Sequence, residues 1–159
     1  MTNHITRLKA GDTAPDFEGK DQYGNLISLS SFKDKKVILY FYPKDNTPGC
    51  TAQACNLRDN YAVLKKKGYI IIGISADDEK KHKKFSDKYQ LPFPLIADTD
   101  KKIIEAYDVW GPKKFMGIVF DGINRTTFVI DEKGKIEKVI LDVKTKTHTE
   151  QILEEGINY

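Results

Sequence analysis

Two cysteines, Cys50 and Cys55, are the only ones in a chain of 159 residues, and they lie five positions apart. Ahead of them stand Pro43, Thr47, Pro48 and Gly49 in the phrase YPKDNTPGCTAQAC. An apolar run, Val37 to Tyr42, precedes this turn, and a helical pattern follows from about Cys50. A strand that delivers a cysteine to a helix start is a way to make a thiolate. Unpaired amide N–H groups and the positive end of the helix dipole favour the anion there. A thiolate is a nucleophile and can be oxidised reversibly. Pro48-Gly49 lets the backbone fold tightly beside the sulfur, and Thr47 offers a hydroxyl as donor to it or as acceptor from a substrate O–H.

The helix must position both sulfurs. Cys50, Ala54, Leu57, Tyr61 and Leu64 recur at helical spacing and form one apolar stripe, so Cys50 faces the sheet. The pattern predicts one helix to about Lys66, stopping at Gly68. On an ideal helix Cys55 is turned by about 140° from Cys50 and raised by about 7.5 Å, which places it with Arg58, Asp59 and Lys66. The two Cα atoms would be about 8–9 Å apart, beyond the ~7 Å reach of a disulfide. If the pair cycles, the first turns of the helix must unwind. Most lone cysteines are small buried hydrophobes. Against that reading of Cys50 stands its place at a helix start in a Pro/Thr/Gly setting. From its residues alone, Cys55 is either a bystander or a partner thiol.

The remaining elements follow from periodicity. Phe17 to Leu29 reads as a hairpin with its tip at Asp21–Asn25. Tyr69–Ser75 (YIIIGIS) reads as a buried parallel strand. Asp77 or Asp78 caps a lysine-rich helix to about Tyr89, and Pro92 and Pro94 frame a strand at Leu95–Ala97. A short helix follows at Ile103–Tyr107, with Asp98-Thr99-Asp100 as its cap. Residues 109–124 read as irregular. Thr126–Asp131 and Ile136–Leu141 pair across Glu132-Lys133-Gly134, and Thr147 or Thr149 starts a last helix. The tail after Leu153 is short and polar. Parallel strands joined by helical crossovers need helices on the sheet faces. The expected fold is α/β: a central mixed sheet flanked by helices, with an N-terminal β-hairpin extension, in one domain over residues 1–159.

Composition sets outer limits. The formal net charge is +3, from 26 Lys+Arg against 23 Asp+Glu. The lysine runs alternate with acidic residues as a solvated surface does, so no nucleic-acid role is expected. No stretch approaches the ~18 apolar residues of a transmembrane helix, and no signal-peptide core is visible near Met1. A cytoplasmic location is expected, where a close cysteine pair reads as redox or metal chemistry. No zinc spacing can be built from the cysteines with His4, His82 and His148, and no metal or other cofactor is expected. The three histidines read as surface residues, and Tyr42, Trp110, Phe115 and Phe120 as core, pocket or partner surface.

The segments Phe41-Tyr42-Pro43-Lys44-Asp45, Thr47-Pro48-Gly49-Cys50-Thr51 and Ala54-Cys55 resemble a peroxiredoxin of the bacterioferritin-comigratory-protein (PrxQ) subfamily. The likeness runs from Ala10-Gly11-Asp12-Thr13-Ala14-Pro15-Asp16-Phe17 to the closing helix, and includes Arg125-Thr126-Thr127-Phe128-Val129-Ile130-Asp131. It implies a thioredoxin-like fold and reduction of hydrogen peroxide and organic hydroperoxides. It also implies that Cys50 attacks the peroxide and that Cys55 resolves the sulfenic acid to an intramolecular disulfide. By the same likeness Arg125 steadies the thiolate and the peroxide oxygens. Thr47 and the N–H groups of Gly49 and Cys50 are then further donors, and Pro43 shields the sulfur. The implied partners are a hydroperoxide and a thioredoxin-like reductant, with a monomer or weak homodimer. One departure stands out: position 53 is Gln where the family more usually has Glu, which removes a carboxylate near the sulfur. The competing activities are a dithiol–disulfide oxidoreductase, which usually wants C-x-x-C, and a peroxide-responsive redox sensor.

Overall fold

The computed structural model describes residues 3–154. The tail residues 155–159, part of the stretch read above as short and polar, lie outside the described residues. The two most apolar runs form the centre. Strands β3 (Lys36–Phe41) and β4 (Tyr69–Ser75) pair in parallel from Lys36↔Tyr69 to Phe41↔Ile74. Because parallel neighbours need a crossover, the chain between them forms α1 (Pro48–Asp59) and α2 (Tyr61–Lys66). Three more strands complete a five-stranded sheet of order β5-β4-β3-β8-β9: β5 (Leu95–Ala97), parallel to β4, and the antiparallel pair β8 (Thr126–Ile130) and β9 (Ile136–Ile140). The sheet is mixed, as expected.

Side-chain alternation along β3 supplies both cores. Val37, Leu39 and Phe41 point to one face and join Phe17, Phe128 and Ile130 with Ile103 and Ile104 of α4 (Lys102–Ala106). Ile38, Tyr40 and Tyr42 point to the other, against Leu57 of α1, Leu64 of α2, Phe85 of α3 (Glu79–Tyr89) and Ile152 of α5 (His148–Leu153). Cys50 lies in this second cluster. Among the described residues no helix is long and apolar enough to cross a membrane.

The expected N-terminal hairpin is present as β1 (Glu18–Lys20) and β2 (Leu26–Ser28). Its tip closes on Asp21, whose carboxylate accepts from the N–H groups of Tyr23 and Asn25, both at 2.9 Å. Asp78 is the cap of α3, its carboxylate accepting from Lys81 N–H at 2.8 Å. The Asp98 carboxylate accepts from Ile104 N–H at 2.8 Å within α4, whose capping residue is Lys101 rather than Asp98 or Asp100.

Two further expectations are corrected. The single helix expected to run to about Lys66 begins at Pro48, just before Cys50 as expected, but is divided at Asn60 (φ −106°, ψ 11°). The Asn60 side chain donates to the Asn56 carbonyl at 2.8 Å, the local competition by which asparagine breaks helical bonding. Residues 109–124 are not irregular. They hold a second hairpin, β6 (Trp110–Phe115) and β7 (Ile118–Ile123), with six aligned pairs. Its two-residue turn is Met116-Gly117, both at positive φ (51° and 80°), as a type I′-like hairpin turn requires. Pro112, Lys113, Lys114 and the interleaved glycines hide the period-2 pattern that would have signalled these strands.

Candidate active site

The site is built where β3 ends. Tyr42 continues the strand direction, the chain turns through Pro43–Asn46, and α1 begins at Pro48 with Thr47 in the capping position. Asn46 takes the left-handed φ of 61° that such a turn needs and that asparagine tolerates. Pro48 suits the first helical position because it lacks an N–H that would have no partner there. Gly49 and Cys50 follow in the same turn, so their N–H groups point out of the helix start rather than to helical carbonyls.

Cys50 is 2% exposed. Arg125, at the junction of β7 and β8, reaches across and donates from Nη2 to Cys50 Sγ at 3.3 Å. Its Nη1 donates to Gln53 Oε1 at 2.7 Å, so one guanidinium grips α1 at two positions three residues apart. Gly49 makes room for it: a Cβ there would stand 3.1 Å from Arg125 Nη2. The expected meeting of Arg125 with Cys50 is therefore present, although 75 residues separate them. The buried Tyr40 phenol has its pKa pushed well up, first by burial and then by the negative charge of a Cys50 thiolate. Burial also pulls Lys113 down, with the Arg125 charge adding to it.

The Thr47 hydroxyl donates to the Lys44 carbonyl at 2.9 Å, which commits the proton and leaves the oxygen lone pairs as acceptors. Pro43 is half-buried in the same turn. Cys55 is half-buried and, like Cys50, a free thiol, with α1 intact across both. A hollow of about 550 Å³ opens beside Arg125, lined also by His4, Lys113, Asn124 and Leu141, but Cys50 does not line it.

The histidines correct the surface reading. His82 is fully buried: its Nδ1 faces Asp45 Oδ2 at 2.6 Å and its Nε2 faces the Ile96 carbonyl at 3.0 Å. His148 is buried between Thr127 Oγ1 and Gln151 Oε1, both at 2.9 Å, and burial pushes its pKa down to about 4. Only His4 is partly exposed, paired with Asp108 at 2.9 Å. Of the four aromatic residues singled out, Tyr42 is core, while Phe115 and Phe120 stand exposed on the second hairpin.

Three contributions were missed from sequence. In the sequence Gln53 stands out only for the charge it lacks, yet it anchors Arg125; its i+3 spacing from Cys50 is the available signal. Asn56 fixes the far end of the cysteine segment, accepting from Thr149 N–H at 2.8 Å and donating to the Lys146 carbonyl at 2.9 Å. Asp45 gave no signal beyond a turn residue.

The chain is similar to known proteins over most of its length. Residues 10–139 match the AhpC/TSA family. Peroxiredoxin Bcp of Escherichia coli K12 is 49% identical over 146 residues, covering 92% of this chain and 94% of that protein. Peroxiredoxin Bcp of Bacillus subtilis 168 is 44% identical over 147 residues, covering 92% and 94%. Among solved structures, a cysteine-to-serine mutant of Xylella fastidiosa PrxQ superposes with a TM-score of 0.86 at 29% identity, over 94% of this chain and 95% of that one. Xanthomonas campestris bacterioferritin comigratory protein, studied for alkyl peroxide reduction in trapped intermediate/ligand complexes, gives 0.83 at 31% identity over 91% and 95%. The mixed sheet flanked by helices is thus the thioredoxin-like fold of these proteins, and the chain belongs to the AhpC/TSA family, among its Bcp/PrxQ peroxiredoxins.

Proposed function

We propose that Cys50 is the nucleophile with which this chain, a thiol-dependent peroxidase, reduces hydrogen peroxide and organic hydroperoxides. The observation that carries the assignment is the 3.3 Å bond from Arg125 to a buried sulfur in the first turn of α1. A fixed guanidinium beside a thiol favours the anion, and the helix start favours it further.

The Cys50 thiolate attacks one peroxide oxygen. The S–O bond forms as the O–O bond breaks, and the departing oxygen leaves as hydroxide or alkoxide and takes a proton to become water or an alcohol. Sulfur loses two electrons and becomes a sulfenic acid. Charge grows on both oxygens as they separate, and Arg125 with the N–H groups of Gly49 and Cys50 is placed to meet it. Thr47 accepts the peroxide O–H, which turns the attacked oxygen toward the sulfur. Pro43 limits water at the sulfur. Cys55 then attacks the sulfenic sulfur, expels hydroxide and closes a disulfide. A thioredoxin-like dithiol reopens it by exchange. No metal or other cofactor enters these steps.

We place this activity in one domain over residues 1–159, in the cytoplasm, with no nucleic-acid or membrane partner and as a monomer or weak homodimer. The exposed apolar tip of the second hairpin, Phe115, Met116, Ile118, Val119 and Phe120, is the surface suited to weak self-association. Reduced protein mixed with sub-stoichiometric hydrogen peroxide should consume it within seconds, and Cys50→Ser should abolish the reaction. Repeated turnover with thioredoxin separates a peroxidase from a sensor that oxidises once. Failure of the wild-type protein to consume peroxide would overturn the assignment.

A further inference from the structure

We propose that His82 is a positioning residue for peroxide reduction: through Asp45 it fixes the turn that carries Pro43 and Thr47 to the Cys50 sulfur. It touches neither sulfur nor substrate. His82 lies on α3, fully buried, and both ring nitrogens face acceptor oxygens, the Asp45 carboxylate at 2.6 Å and the Ile96 carbonyl at 3.0 Å. The ring therefore bridges the two oxygens and spans from β5 to the turn. The Asp45 side chain is 5% exposed, and its other oxygen accepts from Tyr42 O–H at 2.6 Å. Its backbone N–H donates to Asp77 at 2.7 Å.

The remaining contacts of the turn are weaker holds. Thr47 bonds within the turn, to Lys44. Asn46 Oδ1 accepts from Lys88 Nζ and Tyr89 O–H at 3.4 and 3.3 Å, both at exposed positions. The Asp45 carboxylate is thus the buried polar anchor of the turn, and His82 supplies one of its two side-chain donors. Without His82 a nearly buried carboxylate keeps only Tyr42, a costly state for a charged group. It has a way out. Asp45 lines a hollow of about 290 Å³ with Lys44, Lys81, Lys84 and Lys88, where water and ammonium groups would receive it. Swinging the carboxylate outward turns the backbone on either side of it. Pro43 is two residues before Asp45 and Thr47 two residues after, so both move with it.

Attack on a peroxide needs that alignment, whereas alkylation by iodoacetamide needs only a reachable thiolate. The inference rests on the peroxidase assignment, and the test measures both reactions on reduced protein by stopped flow, wild type alongside. In His82→Ala the second-order rate with hydrogen peroxide should fall about tenfold or more, as misplacement near 1 Å can cause, while alkylation stays within about threefold. Asp45→Ala should behave alike. Asp45→Asn should stay within about threefold of wild type for peroxide, because a carboxamide can still accept from Tyr42 and donate to an imidazole nitrogen. Should His82→Ala not fold, Asp45→Ala against Asp45→Asn decides by the same criteria. A folded His82→Ala with a peroxide rate within about twofold of wild type would overturn the proposal, as would parallel loss of both reactions, or Asp45→Asn as slow as Asp45→Ala, since each removes the link between alignment and rate. Wild-type protein inert to peroxide would instead sink the peroxidase assignment itself.

Discussion

Arg125 directs both terminal nitrogens at α1, one to the Cys50 sulfur at 3.3 Å and one to Gln53 at 2.7 Å. The second bond matters for the first, because a guanidinium held at one nitrogen alone can pivot about it. Gln53 is fully buried, and its amide oxygen faces Arg125 while its Nε2 has no hydrogen-bond partner among the described residues. A neutral carboxamide anchors the cation without competing for its charge, which stays available to the sulfur. Arg125→Ala should lower the peroxide rate by about 10²–10³, the scale seen when one donor is removed from a charge-stabilising site. It should also slow alkylation of Cys50 by iodoacetamide at neutral pH, since the guanidinium beside the sulfur favours the reactive anion. Gln53→Ala, which keeps the cation and loosens its aim, should lower the peroxide rate by about tenfold and leave the alkylation rate nearly unchanged. Stopped-flow peroxide kinetics beside alkylation rates separate the two effects. A Gln53→Ala peroxide rate equal to wild type would mean that Gln53 contributes nothing to the aim.

Helix α1 is intact in the reduced protein and spans both sulfurs, yet ideal helix geometry puts their Cα atoms about 8–9 Å apart, too far for a disulfide. The segment that must give way is bounded on both sides. Asp45 is tied to Tyr42, His82 and Asp77, and Asn56 is tied to Thr149 and Lys146 of the C-terminal segment. Between them α1 is held by helical bonds and by Arg125. Oxidation should therefore unwind the start of α1 while leaving the ends of the stretch in place. Amide exchange after one equivalent of peroxide should lose protection at residues 51–55 and keep it at Leu57 and beyond. Cys55→Ser should retain α1 protection and accumulate sulfenic acid. Unchanged exchange in oxidised wild type would exclude a Cys50–Cys55 disulfide. The separation of the two sulfurs along α1 is legible from spacing, because angle and rise along a helix depend only on residue count. The division at Asn60 and the hairpin at Trp110–Ile123 are not, since a single asparagine decides the first and exposed, lysine-bearing strands erase the pattern of the second.

Across the whole molecule, what the sequence concealed lies in contacts between distant elements. Cys50, Thr47 and Gly49 share one local phrase, and Arg125 carried a motif of its own. His82 and His148 sit among polar residues in sequence and became core only when α3 and α5 docked on the sheet. His148 has a consequence for the stability of the assembled fold. It lies on α5 against Thr127 of β8, two residues beyond Arg125, with Gln151 on its other nitrogen. Burial pushes its pKa down to about 4, against an ordinary value near 6.5 in the unfolded chain. Between these values the unfolded state binds a proton that the folded state refuses. The contribution of the neutral, buried ring is therefore complete above about pH 6.5 and is lost as pH falls toward 4. A gap of that size corresponds to roughly 3 kcal/mol in order of magnitude. Urea melts at pH 7 and pH 4.5 should show wild type losing stability on acidification, with a smaller loss in His148→Gln, whose side chain does not titrate. The same acidification should raise amide exchange in α5 first, because protonated His148 is driven from between β8 and Gln151. An equal pH dependence in the two proteins would show that other groups, not this imidazole, govern the acid limb.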